Sequence, residues 1–248
     1  MFYLSGALCL SSICAQASAG NVTANVALTS DYISRGFTQT WSQPALQGGL
    51  DYTHQSGLYV GTWASSISDT EFRDGSIELD LYAGYAGTIG SFGYTAGFAY
   101  YAYPGSSAPT VNGRAYDYAE VKLGTSYGIA SLTGYVTVTN DWFGTFDDAQ
   151  GSYYVDATLA PTLGANYTLQ IHAGAGRVHN HSEANWTDAK LGITRALDGG
   201  WSVSGAVTRG WDEEAYWTGA DFQRDPTGNI YSKRLGDPAV VLSVARVF

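Results

Sequence analysis

The stretch IELDLYAGY at residues 77–85 alternates apolar and polar side chains from end to end. Successive side chains of an extended strand point to opposite faces. One face of this stretch therefore holds Ile77, Leu79, Leu81, Ala83 and Tyr85, and the other holds Glu78, Asp80, Tyr82 and Gly84. A period of two predicts a β-strand with an apolar medium on one side and a polar one on the other.

The same alternation recurs along the chain, for example in FGYTAGFAY at 92–100 and SLTGYVTVT at 131–139. We count about twelve such segments of the ~10-residue length typical of membrane-spanning strands. They start near Val22, Pro44, Leu58, Ser76, Phe92, Tyr116, Ala130, Tyr153, Tyr167, Trp186, Trp201 and Pro238. Short connections such as HQSG alternate with long ones such as NDWFGTFDDAQG. The pattern predicts an all-β fold, a transmembrane up-and-down antiparallel β-barrel of about 12 strands.

The polar faces indicate which side of the barrel points inward. Asp51, Glu78, Asp80, Glu120 and Asp156 stand at mid-strand on these faces, and so many carboxylates do not fit a dry core. If they line a wet interior while the apolar faces meet lipid, every strand is accounted for. The alternative is a soluble secreted β-sandwich whose polar faces meet solvent.

Arginines and aromatic residues fall where a membrane barrel would place them. Arg177, Arg195, Arg209 and Arg246 are predicted to face outward only at strand ends, where a charge costs ~0–1 kcal/mol instead of ~2–4 kcal/mol at mid-membrane. Aromatic residues flank the short turns, as an interfacial girdle would; they are Tyr52, Tyr85, Phe92, Tyr94, Tyr127 and Trp201.

Composition and the first residues bound the class of protein. Charged residues make up only 14% of the 248 residues, and the net charge of −10 argues against a nucleic-acid partner. Residues 1–19 are uncharged and apolar and close on Ala17-Ser18-Ala19, which predicts a secretory signal peptide. Both cysteines lie within it, so residues 20–248 form the predicted single barrel domain without thiol chemistry.

The stretch VVLSVARVF at 240–248 alternates to the last residue and has no polar tail. We expect it to close the barrel by pairing with NVTANVALTS at 21–30.

The predicted lumen is rich in carboxylates. Its charged or titratable candidates are Asp31, Asp51, Glu78, Asp80, Glu120, Lys122, Asp156, His172, Asp188 and Lys190. Seven acids against two lysines raise the local cation concentration and disfavour anions, as acidic rings do in pores. We expect Lys122 to neutralise Glu120 in part, and Lys190 to do the same for Asp188.

Two states of the lumen remain open at this point. The polar groups either form a hydrogen-bonded plug or line a narrow water-filled pore, since about twelve strands lie between a filled and a wide barrel. Small residues on the inward face favour the pore because they leave space; they are Gly84, Gly93, Gly97, Ala99, Thr133 and Gly174.

The segments LTSDYISRGFTQT at 28–40 and PALQGGLDYTHQSGLYVGTWASSI at 44–67 resemble the opening of the TorF-type porin family of proteobacterial outer-membrane proteins. The resemblance continues to the final VARVF and implies a bacterial outer-membrane channel, but little about its solute, and it supplies no catalytic, cofactor or metal residues to carry over. It also implies that Phe248 is presented to the barrel-insertion machinery, with outer-membrane lipid and lipopolysaccharide around the barrel. Arg35 in SRGF is expected at a tight turn, facing lipopolysaccharide phosphates.

A structural or adhesive barrel with a plugged lumen is the main alternative function. It would act through its long loops, and the 212–237 loop with its flanks offers aromatic contacts in Trp211, Tyr216, Trp217 and Tyr231.

A metal site and an enzyme are weaker alternatives. His179, His181 and Glu183 of HNHSE would point one way if the loop were extended, as metal ligands require. His172 and Ser204 face inward, but no G-x-S-x-G motif accompanies them. We expect no enzymatic activity.

Overall fold

The computed structural model describes residues 20–108, 115–143, 146–212, 214, 216, 221–224 and 230–248. The predicted signal peptide and Trp217 lie outside these ranges, and Tyr231 is described only by its backbone. The barrel strands are β1 (Asn21–Thr29), β2 (Ala45–Thr53), β3 (Leu58–Ser66), β4 (Ile77–Ile89), β5 (Phe92–Ala102), β6 (Tyr118–Tyr127), β7 (Ala130–Thr137), β8 (Tyr153–Leu159), β9 (Tyr167–Arg177), β10 (Trp186–Ala196), β11 (Trp201–Asp212) and β12 (Ala239–Val247). Each start lies within two residues of the predicted one.

Every strand pairs antiparallel with the next strand along the chain, and β12 closes the ring against β1. The closing register joins Asn25 to Val247 and Thr29 to Ser243. The predicted barrel, its number of strands and its closure by the last strand are therefore confirmed. Thr162–Leu163 pairs with the start of β9 within the main sheet. Two short hairpins form separate sheets: Ile33–Ser34 with Phe37–Thr38, and Asp221–Arg224 with Ile230–Lys233. Among the described residues, no helix is both long and apolar enough to cross a membrane.

The outer surface is apolar along most of each strand. Leu50, Leu123, Leu191 and Leu242 are each more than half exposed, and they belong to four different strands. A contiguous apolar band of this kind suits lipid and would promote aggregation in water.

The four arginines predicted at strand ends lie there. Three of them contact aromatic rings, and Arg177 donates hydrogen bonds to the backbone carbonyl oxygens of Gly176 and Trp186. At the short-turn end, Arg246 lies over Trp201 at 5.4 Å and over Phe248 at 4.5 Å, and Arg195 lies over Tyr167 at 5.6 Å. At the opposite end, Arg209 lies over Trp211 at 5.2 Å.

Large aromatic rings lie flat against the inner wall, over glycines of neighbouring strands. A Cβ on Gly84 or Gly97 would overlap the Tyr59 hydroxyl, and one on Gly174 would overlap the Tyr154 hydroxyl. The expectation that these three glycines leave open space was therefore wrong, because adjacent rings fill the room above them.

Long loops cover one end of the barrel with a cluster of aromatic rings, which we call the aromatic cap. Phe72 stacks on Tyr103 at 4.9 Å and contacts Phe143 at 5.4 Å. Trp142 stacks on Trp186 of β10 at 5.4 Å, which joins the cap to the barrel wall. Among the described residues, the opposite end carries short turns, such as His54–Gly57 and Leu197–Gly200.

Candidate functional site: the barrel interior

The connection between β1 and β2 does not project outward but folds into the barrel. Its short hairpin, Ile33–Ser34 with Phe37–Thr38, turns at Arg35 and Gly36, whose φ values of 48° and 92° lie in the left-handed region. The Asp31 carboxylate accepts hydrogen bonds from the hydroxyls of Thr38 at 2.6 Å and Thr40 at 2.9 Å. Asp31, a predicted lumen residue, therefore fixes the base of the hairpin.

Arg35 at the hairpin tip reaches the opposite wall. Its guanidinium donates two hydrogen bonds to the Glu120 carboxylate, at 2.8 and 2.5 Å, and its Cζ lies 4.9 Å from the Tyr135 ring centre and 4.7 Å from that of Tyr154. We call Arg35, Glu120, Tyr135 and Tyr154 the latch. Burial alone would lower the pKa of Arg35, but the charge and hydrogen bonds of Glu120, together with the nearby Tyr118 and Tyr101, raise it well above the ordinary value. The guanidinium is therefore charged.

The hairpin crosses the bore from one side to the other. It leaves the wall between β1 and β2, and β7, which carries Tyr135, lies six places round the ring of twelve strands from β1. Trp186 of β10 donates its indole N–H to the Arg35 carbonyl oxygen at 3.0 Å. Gly36 presses so closely on Asp188 that a Cβ there would overlap the Asp188 side chain. The bore is therefore obstructed at this level.

Glu78 and Asp80 of β4 lie near the latch with spare acceptor atoms. Both are about 95% buried, at 4% and 5% exposure, and both interact electrostatically with Arg35. Tyr32 donates its hydroxyl to Glu78 Oε1 at 3.3 Å. Glu78 Oε2 and Asp80 Oδ1 have no hydrogen-bond partner among the described residues. Such unpaired buried oxygens favour a cation nearby.

A second charged cluster lies on β8, β9 and β10. His172 Nδ1 is 3.1 Å from Asp156 Oδ2, and His172 Nε2 is 2.7 Å from Asp188 Oδ1. Two carboxylate acceptors on the two ring nitrogens require both nitrogens to donate, which makes the ring an imidazolium. Tyr154, a latch residue, donates its hydroxyl to Asp188 Oδ2 at 2.9 Å and so couples this cluster to the latch.

The remaining predicted lumen residues also face inward. Asp51 accepts a hydrogen bond from Tyr82 at 2.6 Å, and Lys122 lies over the Tyr59 ring at 5.7 Å. Lys190 lies level with His172 on the neighbouring strand. Their role as pore lining stays a prediction.

The partners of two lumen acids differ from those expected. Glu120 pairs with Arg35, and Asp188 pairs with His172. The sequence suggested Lys122 and Lys190 as partners because each lies two residues after its acid, on the same face of the strand. Both observed partners come from other parts of the chain.

The weaker hypotheses find little geometric support. Ser182–Ala184 forms a 3-10 turn, so HNHSE is not extended, and the described residues contain no group of three metal-ligating side chains. Both nitrogens of His172 face carboxylates, which leaves neither free to act as a base. Thr208 of β11, and not Ser204, is level with Lys190 and His172 on the paired strands. Ser204 lies four residues away along β11, so the sheet does not bring it beside His172.

Sequence reasoning missed the latch. Arg35 was expected to face lipopolysaccharide phosphates, and this is wrong because the guanidinium lies inside the barrel, with only 12% of its side chain exposed. Tyr135 and Tyr154 were assigned to strands but to no site. The available signal was SRGF, an arginine beside a glycine in a loop, and it gives no direction for the side chain.

Residues 14–248 match the family described as "Bacterial protein of unknown function (Gcw_chp)", and the chain belongs to this family. No curated protein matches it in sequence. The fold is similar to "KdgM porin", with a TM-score of 0.54 and 9% identity over 91% of this chain and 99% of that one. For "KdgM porin in complex with disordered oligogalacturonate", the TM-score is 0.53 and the identity is 8%, over 92% of this chain and 98% of that one. For an outer membrane channel from Pseudomonas putida F1, the TM-score is 0.48 and the identity is 13%, over 94% of this chain and 97% of that one.

The likeness to the KdgM porin structures is one of fold. It agrees with a closed barrel of porin type, and porins of this kind lie in the bacterial outer membrane. The matched family has a different name from the TorF-type porins, so that more specific resemblance stays a prediction.

Proposed function

We propose that this member of the Gcw_chp family is an outer-membrane channel that passes small, preferably cationic or neutral, solutes by diffusion, and that the inserted hairpin gates it. The observation that carries the proposal is a closed barrel with an apolar exterior and an acidic interior. Seven inward carboxylates face four cationic groups, which are Arg35, Lys122, His172 and Lys190.

The pairing of these charges supports a selective role for the acids that have no cationic partner. Glu120 is neutralised by Arg35, and the Asp156 and Asp188 carboxylates share the His172 imidazolium. Glu78 and Asp80 form no ion pair among the described residues and lie nearest the latch, so we expect their field to contribute to cation preference. The same field disfavours polyanions such as the oligogalacturonate named with one of the similar porins.

The test is conductance in a planar bilayer under a potassium chloride gradient, with residues 20–248 of the wild type and of Arg35→Ala. We expect larger or more frequent current steps from Arg35→Ala and a reversal potential that favours cations. Glu78→Gln combined with Asp80→Asn then moves the reversal potential towards zero. Asp198→Asn, in a turn outside the barrel, is the matched control and leaves it unchanged. An unchanged potential in the double variant contradicts the assigned selectivity.

The aromatic cap favours a second candidate, a plugged barrel that acts through its loops as a structural or adhesive protein. Tyr216 of the 212–237 loop contacts Phe146 at 5.4 Å, and Phe146 stacks on Trp142 of the cap at 5.7 Å. If folded wild-type and Arg35→Ala barrels both stay silent in the bilayer, this candidate replaces the channel. Binding to intact cells, lost when the long loops are trimmed, would then support it.

A further inference from the structure

The groups around the Arg35 guanidinium form a complete recognition site for that chemical group. Glu120 presents both oxygens to two N–H groups, and the rings of Tyr135 and Tyr154 both lie within 5 Å of Arg35 Cζ. A planar, delocalised cation with paired N–H donors fits this arrangement, whereas a round ammonium group cannot form the paired bonds. Burial strengthens both kinds of contact.

The site and its occupant come from different parts of the fold. Glu120, Tyr135 and Tyr154 belong to β6, β7 and β8, three adjacent strands of the closed sheet. The Glu120 carboxylate is further held by the Tyr101 hydroxyl at 3.2 Å, and the Tyr154 hydroxyl is held by Asp188. Arg35 belongs to a hairpin with only two paired residues on each side. The three wall residues thus remain in place if the hairpin leaves.

We propose that Glu120, Tyr135 and Tyr154 form a guanidinium-binding site that the protein fills with its own Arg35, and that solutes carrying a guanidinium group compete for it. The inference rests on the proposed channel function and names a solute class for it. A solute that occupies the site removes one anchor of the hairpin, the Arg35–Glu120 pair, and so favours opening of the bore against the remaining Trp186–Arg35 hydrogen bond. The spare oxygens of Glu78 and Asp80 attract such cations to the level of the latch.

The decisive probes are free L-arginine and L-citrulline, which have the same length but differ by the guanidinium charge. In Arg35→Ala the site is vacant, so millimolar arginine blocks the open channel in a dose-dependent way and citrulline does not. In the wild type, arginine displaces Arg35 and lengthens the open time, and each of these openings carries the reduced current of a bore whose site holds arginine. Adding Glu120→Gln to Arg35→Ala weakens the arginine block by about tenfold or more, since the charged hydrogen bonds are lost.

The inference is overturned if arginine and citrulline act alike on Arg35→Ala, or if Glu120→Gln leaves the block unchanged. A binding measurement separates this result from failure of the channel itself. Millimolar L-arginine raises the thermal unfolding midpoint of detergent-solubilised Arg35→Ala above that in L-citrulline of equal concentration, but not that of Arg35→Ala/Glu120→Gln. A silent channel with this shift refutes only conduction, and a conducting channel without it refutes only the site.

If Arg35→Ala does not fold, the wild type carries the test. Its open time must then respond to arginine and not to citrulline, and a lack of response refutes the proposal.

Discussion

Exchanging the charges of the latch tests whether the ion pair holds the hairpin across the bore. The four proteins of a double-mutant cycle are the wild type, Arg35→Glu, Glu120→Arg and the double variant with both changes. Each single variant places two like charges together in a buried setting, because the side chains of Arg35 and Glu120 are 12% and 1% exposed. The double variant restores one positive and one negative group at the same contact.

The magnitudes follow from the contacts. Breaking a buried ion pair by loss of one partner costs ~3–5 kcal/mol, because the other charge is left unpaired. At ~1.4 kcal/mol per tenfold change, the ratio of open to closed time in Arg35→Glu rises by roughly two to three and a half powers of ten. The double variant regains the pair but loses two cation–π contacts of ~0.5–2 kcal/mol each. It therefore stays more open than the wild type, by less than either single variant.

The assay is single-channel recording at fixed voltage, with open and closed times measured for all four proteins. Arg195→Glu is the matched control, because Arg195 also contacts a tyrosine ring but lies on the outside of the barrel. It should leave the open time unchanged. If the double variant is as open as Arg35→Glu, the pair does not couple the hairpin to the wall, and the gating mechanism is refuted.

Two further predictions concern the wall around the latch. Gly174→Ala places a methyl group against the Tyr154 hydroxyl, and we expect a loss of ~1–3 kcal/mol in the free energy of unfolding, as for other overpacked sites. Gly134→Ala is the control, because no atom lies within 4 Å of the added Cβ. Equal losses in the two variants would contradict the packing. Urea unfolding in lipid vesicles also tests His172. We expect His172→Gln to lose less stability than His172→Leu, because glutamine keeps an N–H donor for one of the two neighbouring carboxylates. A His172→Leu variant as stable as the wild type would show that the imidazolium does not stabilise Asp156 and Asp188.

The sequence indicated the barrel because strand signals are local. In Ile77–Ile89 the period of two shows which face of the sheet each side chain occupies, without information on the neighbouring strands. The same signal placed Glu78, Asp80 and Glu120 on the inward face. It did not indicate whether the bore was empty. A glycine such as Gly84 or Gly174 suggests open space as long as the residues on neighbouring strands are unknown. The paired strands show that the rings of Tyr59 and Tyr154 lie over these two glycines.

By itself, then, the sequence determined the barrel, the inward face of each strand, and the closure of the last strand on the first, because alternation and turn length are properties of short segments. Only the tertiary structure decided where the first long loop goes and which charges meet. Arg35 and Glu120 are separated by 85 residues, and their contact depends on the register of strands that bring Tyr135 and Tyr154 to the same level. A loop arginine takes the partner that the opposite wall offers, and that wall exists only once the sheet has closed.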